Sequence, residues 1–161
     1  MYAFECSLHA PPDSDAPASG EPLTDSCGQW PTLLIAQDQL SVPLPIGFDD
    51  VLNQLGNLPR LYAEPDGSFV WTSPQENTRW QVNGNLYEKN DRVLFIEIKG
   101  SCPASESDQL LACFLSDEKA CVVQLTRPAV FVTVEVFRAH AGARGQAGDG
   151  ASLLPPETCG W

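Results

Sequence analysis

Residues 93–99 constrain the fold more than any other stretch of the chain. Val93-Leu94-Phe95-Ile96-Glu97-Ile98-Lys99 is apolar at five of seven positions and reads as a buried strand. Pro103 then opens a helix to about Leu115, with an apolar face made by Leu110, Leu111 and Phe114. Ser105 and Asp108, three apart near its start, come close to a capping box. Ala120 to Leu125 reads as the next strand. A strand, a helix and a strand in that order predict a right-handed crossover. The expected fold class is therefore α/β (α+β), a mixed central sheet flanked by helices.

The upstream segments supply more of that sheet. Phe48, Val51, Leu52, Leu55 and Leu58 fall at helical spacing. Asp49 and Asp50 suit the positive end of this helix, and Gly56 and Pro59 stop it. Leu61 to Glu64 and Ser68 to Thr72 form a hairpin through Pro65-Asp66-Gly67. Arg79 to Tyr87 is a further strand, and Ala129 to Phe137 the last. If at an edge, the Val130 to Phe137 strand could pair with a second copy. Leu33 to Leu44 holds a short strand or two, broken by Pro43 and Pro45.

One domain of residues 31–140 is expected between two extended arms. Residues 1–30 read as an extended or disordered acidic arm, most clearly the Pro-, Ser-, Asp- and Gly-rich stretch 9–28. Residues 141–161 read as a Gly/Ala/Pro-rich tail. The charge is 9 basic against 21 acidic residues, net -12, and Leu44 to His140 accounts for only 13 acids and 8 bases. The flanks carry the rest. So acidic a chain lacks a broad footprint for nucleic acid, a partner that the net charge disfavours without excluding, and a protein partner could bind through the acidic arms. No apolar run is long enough to span a membrane. The start lacks a basic segment followed by an apolar one, and the expected location is cytoplasmic. Six cysteines occur without a Cys-x-x-Cys pair, so reduced thiols are expected, with Cys113 and Cys121 in the core.

Chemistry concentrates on the 93–99 strand. Glu97 and Lys99 share one face, about 7 Å apart along the chain. They are expected at the carboxyl end of the strand, where ligands bind in such sheets. An exposed ion pair is the plainer alternative.

Taken with its surroundings, this segment resembles the core of the PD-(D/E)xK nuclease superfamily, the restriction-endonuclease-like fold. The shared pattern runs over about residues 48–126. It comprises a helix, a strand with Asn83 before Gly84, a turn, a strand ending Glu97-Ile98-Lys99-Gly100, a helix and a strand. The resemblance implies a metal-dependent phosphodiesterase, with Glu97 as metal ligand and Lys99 as catalytic lysine beside it. It implies Mg²⁺ or Mn²⁺, since a hard cation takes carboxylate oxygens, generates a nucleophile and shields phosphate charge. The first ligand departs from the pattern: Asn83 stands where the family has Asp, and an amide brings no charge. That implies a weakened or inactive member, unless the Asn is introduced or deamidates at Asn83-Gly84. Asp66 is the spare candidate ligand, though it also suits its Pro-Asp-Gly turn. The family often completes its site from the first helix, which points to Asp50, Asp49 or Glu64. Some branches use a Gln in the helix after the motif, here Gln109.

Two alternatives stay open. Asn83-Gly84 could instead be a hairpin turn, because both residues tolerate positive φ. In the nuclease-like geometry Asn83 lies directly opposite Glu97. Trp71, Trp80 and Phe95 could stack on bases or fill the core. The functional alternative is a non-catalytic protein-interaction module with acidic arms.

Overall fold

The computed structural model describes residues 1–12, 17–74, 79–116 and 120–148. They form an α+β fold: one large antiparallel sheet and three helices packed around a single core. The strands of the sheet are β1 (Tyr2–His9), β4 (Leu61–Ala63), β5 (Ser68–Thr72), β6 (Gln81–Lys89), β7 (Arg92–Cys102), β8 (Val122–Leu125) and β9 (Val130–Val132). Their order is β4-β5-β6-β7-β1-β8-β9. Two short strands, β2 (Leu23–Asp25) and β3 (Gly28–Trp30), pair separately. The helices are α1 (Phe48–Gly56), α2 (Ala104–Phe114) and α3 (Val134–Gln146).

Every neighbouring pair in the sheet is antiparallel, which corrects the expected mixed sheet. β7 and β8, joined through α2, do run parallel to each other. They are not neighbours, because β1 lies between them and is antiparallel to both. The strand-helix-strand order is right, and the N-terminus fills the gap it spans.

Tyr2–His9 is therefore the fifth strand of the sheet and not part of an arm. Phe4, Cys6 and Leu8 alternate toward the core and are almost fully buried. An eight-residue alternation is a strand signal in its own right. The rest of the expected arm is folded too where it is described. Asp25 in β2 bonds His140 of α3 at 2.9 Å, and Leu33 pairs with Phe131 of β9. Residues 13–16 lie outside the described residues. Leu33–Leu44 holds that bridge and a 3-10 helix over Gln37–Ser41, without the expected strands.

The end of the chain differs as well. The expected Ala129–Phe137 strand stops at Val132. Thr133 accepts the Val136 N–H on its hydroxyl at 3.2 Å, capping α3. A side-chain cap satisfies an otherwise orphaned amide and turns the β-branched Val134 and Val136 into a helix. Val134, Phe137 and Ala141 then face the core, with Phe137 edge-on to Phe4 at 5.8 Å. Helix α3 runs to Gln146, into what the sequence suggests is a tail; residues 149–161 lie outside the described residues. Gly145 is required where α3 crosses the chain start: a Cβ there would sit 1.7 Å from the Met1 carbonyl oxygen.

Helices α1 and α2 match their expected positions. At α2 the cap is Pro103 without a side-chain hydrogen bond, so the Ser105–Asp108 capping box does not form. Phe48, Val51 and Leu55 of α1, Leu110, Leu111 and Phe114 of α2, and the apolar side of α3 share one core. That core rests on one face of the sheet. Phe69, Gly84, Ile98, Cys6 and Leu125 are register partners across five strands and line this covered face. Trp71, Trp80 and Cys121 are also buried. Cys113 packs half-buried against the core, and the described cysteines are free thiols.

Candidate functional site on the open sheet face

Shifting by one residue along each strand gives the opposite face. There Ser68, Asn85, Glu97, Ser7 and Gln124 are register partners from β5 to β8. The next row holds Tyr62, Val70, Asn83, Lys99 and Glu5. No helix of the core lies over these rows, because α1, α2 and α3 share the apolar cluster on the other side.

The site residues named from the sequence come together in part. Asn83, Glu97 and Lys99 line one shallow depression of about 230 Å³, with Asn85 and Glu5. Asn83 is a residue of strand β6, which excludes the hairpin-turn reading of Asn83-Gly84. Its register partner is Lys99, not Glu97; Asn85 is the residue opposite Glu97. Glu97 and Lys99 are also not at a strand end. β7 continues to Cys102, so both project from its middle.

The other named residues lie elsewhere. Asp66 caps its own turn, accepting the Ser68 N–H at 2.9 Å and the Ser68 hydroxyl at 2.6 Å. These bonds, the hydroxyl first, hold its carboxyl below the ordinary value. Glu64 is exposed at the end of β4 and lines a separate groove beside α1. Asp50 and Asp49 are in the first turn of α1, and Gln109 is on α2. Both helices belong to the covered side, so the sheet itself separates those side chains from Glu97.

Glu5, Ser7 and His9 escaped the sequence reading, because their strand read as an arm. The alternation of Phe4, Cys6 and Leu8 was the signal that places them opposite the core. Glu5 Oε2 bonds Arg127 Nε at 3.2 Å. Ser7 Oγ lies 2.7 Å from His9 Nε2. His9 stacks on Phe95 at 5.2 Å, and Phe95 stacks on Tyr87 at 4.2 Å. Phe131 closes this ladder edge-on at 5.7 Å from His9. Burial lowers the His9 pKa, against the opposing pull of the Glu97 charge. Tyr87 donates its hydroxyl to Glu97 Oε1, and this bond raises the phenol pKa. Phe95 thus serves a cross-strand ladder, while Trp71 and Trp80 meet edge-on in the core.

A metal ion fits this arrangement poorly. Among the described residues no group of three or more His, Cys, Asp or Glu side chains is placed to hold one. Several of the oxygens that face the depression already accept hydrogen bonds. Glu97 Oε1 takes the Tyr87 hydroxyl, Glu5 Oε2 takes Arg127, and Asn83 Oδ1 takes Gln81 Nε2 at 2.9 Å. A hard divalent cation needs several oxygens at once, with charge among them. The expected acidic-arm surface is also reduced, since Asp25 is held by His140, by Trp30 Nε1 at 3.1 Å and by the Cys27 N–H. No helix among the described residues is long and apolar enough to cross a membrane.

Comparison with family models, with curated proteins and with solved structures finds no match.

Proposed function

We propose that this chain is a non-catalytic interaction module whose contact surface is the open face of the sheet. The observation that carries this reading is the uncovered pair of rows around Asn83, Asn85, Glu97 and Lys99 on a sheet whose core helices all pack on the other side. A two-layer fold with one free sheet face presents a broad, rigid surface of fixed side-chain spacing. Mixed charges and amides on that face suit hydrogen bonding to a protein. The net charge of -12 disfavours a polyphosphate chain. The partner surface is the sheet face, not the arms suggested by composition.

The test places a photo-crosslinking residue at Asn83 and, as a control, at exposed Gln109 on α2. The expected outcome is one protein captured from position 83 and not from 109, and lost in a Glu97→Lys, Lys99→Glu variant with an unchanged melting temperature. Equal capture from both positions, or capture insensitive to the charge reversals, would remove the reading.

A second reading keeps one observation in its favour. The amide, carboxylate and ammonium of the PD-(D/E)xK resemblance do line one depression. On that reading the chain is a disabled phosphodiesterase of restriction-endonuclease-like descent. Calorimetric titration with Mg²⁺ and Mn²⁺ tests it: Asn83→Asp should bind the ion measurably tighter than the parent. Identical weak binding by both proteins would leave no support for a cation site.

A further inference from the structure

Between β1 and α1 the chain makes a long hairpin that is not part of the large sheet. β2 and β3 pair at Leu23 with Trp30, Thr24 with Gln29 and Asp25 with Gly28. The pairing continues toward the hairpin's base: the Gly20 N–H donates to the Thr32 carbonyl at 3.0 Å, and the Leu34 N–H to the Ala18 carbonyl at 2.8 Å. The Thr32 hydroxyl adds a 2.7 Å bond to the Glu21 carbonyl. Ala18 and Leu34 thus bring the two ends together, and residues 18–34 form one ribbon closed on itself.

This ribbon is fastened to the rest of the protein at few points. Of residues 18–34 only Thr32 is buried, and Leu23 packs half-buried against the core. At the sheet edge the Leu33 N–H donates to the Phe131 carbonyl of β9 at 2.8 Å. On α3 the buried His140 donates from Nε2 to Asp25 Oδ2 at 2.9 Å, and the Trp30 ring stands edge-on to the His140 ring at 5.1 Å. Asp25 ties these contacts together. Its other oxygen accepts Trp30 Nε1 at 3.1 Å and the Cys27 N–H at 2.9 Å. Burial pushes the Asp25 carboxyl up, but the bonds from Trp30, His140 and Cys27 outweigh it and hold the pKa below its ordinary value.

A two-stranded hairpin is marginal by itself in water. A segment with so little buried apolar surface opens more easily than the core it rests on.

We infer that residues 18–34 are a strap that detaches from α3 and β9 as one unit while the large sheet and the three helices stay folded, with Asp25 on His140 as its latch. Closed, the strap shields the His140 imidazole and occupies the edge of β9 at Phe131. Open, it leaves both accessible, and β9 becomes a bare strand edge. The depression around Glu97 takes no residue from the strap and persists in both states.

Native-state hydrogen exchange of the full chain in low denaturant tests the proposal. The Gly20, Leu33 and Leu34 amides are expected to share one opening free energy and one denaturant dependence. Both should lie well below those of Leu86 and Val93, buried residues whose amides bond the Gly67 and Ile46 carbonyls. Asp25→Ala removes the latch at an exposed position. It should speed exchange of the three strap amides about tenfold and leave Leu86 and Val93 unchanged. Strap amides that open only together with Leu86 and Val93 would overturn the proposal. So would three unrelated opening free energies, or an Asp25→Ala protein whose strap amides are no faster or whose core amides accelerate equally.

Discussion

The two faces of the sheet are separated by one residue along each strand, yet they are specified by different physics. On the covered face the row Phe69, Gly84, Ile98, Cys6 and Leu125 is fixed by shape. The Phe69 ring lies over Gly84 and also meets Phe114 of α2 at 6.3 Å, so strand and helix compete for the same volume. On the open face the row Ser68, Asn85, Glu97, Ser7 and Gln124 is polar throughout, with Ser68 bonded to Asp66, Glu97 to Tyr87 and Ser7 to His9. Volume changes report on the first face and charge changes on the second.

The largest test removes the strand that both faces share. β1 is the link between β7 and β8, and Phe4, Cys6 and Leu8 are buried within it. Deleting residues 1–9 should abolish cooperative folding and leave a chain with no sharp melting transition. A truncated protein that still melts cooperatively would show that the two halves of the sheet cohere without β1, despite its place between β7 and β8.

Next in size is a pair of neighbours, Gly84 and Asn83. A Cβ at Gly84 would lie 2.1 Å from the Phe69 ring, whose retreat is blocked by Phe114. Gly84→Ala should destabilise the protein by about 1–3 kcal/mol through overpacking. Asn83→Ala, on the open face, should stay within about 0.5 kcal/mol. Chemical denaturation of both variants measures the contrast. Equal effects would erase the distinction between the faces.

How much of this was legible in the sequence follows the same division. α1, α2, the Pro-Asp-Gly hairpin, β6 and β7 are each announced by local periodicity or turn chemistry. The meeting of Asn83, Glu97 and Lys99 was legible because one turn joins their strands. Which partner each side chain faces was not. Register is set by Tyr87 opposing Phe95 and by the irregularity after Tyr87, where the ladder skips Leu94. The insertion of β1 was invisible for a different reason. Its pairing with β7 spans most of the chain, and nothing local to Tyr2–His9 encodes its partner. At Val130–Phe137 the β-branched residues promised a strand, and the Thr133 cap together with the packing of Phe137 on Phe4 overrode that propensity.

A smaller effect should appear at His9, where the open face becomes buried. His9 is 7 % exposed, its Nε2 is bonded to Ser7, and its Nδ1 has no hydrogen-bond partner among the described residues. Burial holds its pKa below the ordinary 6.5, so the unfolded chain takes up a proton more readily than the folded one. The stability this confers is complete above pH about 6.5 and is lost as the pH falls below that value. Melting temperatures should therefore decline from pH 7 to pH 5, and His9→Phe, which keeps the ring stack, should flatten that slope. An unchanged slope would place the titrating group elsewhere.

The smallest effect is also the most local. Tyr87 reaches diagonally across β6 and β7 to Glu97 and their hydrogen bond is exposed, so its loss should cost less than about 1 kcal/mol. Its signature is electrical. A carboxylate accepting the phenol proton opposes formation of the phenolate, which raises the Tyr87 pKa above 10.0. Glu97→Gln removes the charge and keeps the shape, so Tyr87 should titrate closer to its ordinary value. The chain has three tyrosines, and a Tyr2→Phe, Tyr62→Phe background isolates Tyr87 for an ultraviolet pH titration. On a face governed by packing, so isosteric a change would leave both the fold and the titration alone. If the Tyr87 curve does not move, the open face is held by ring stacking along Tyr87, Phe95 and His9, and the charge of Glu97 is available to a partner in full.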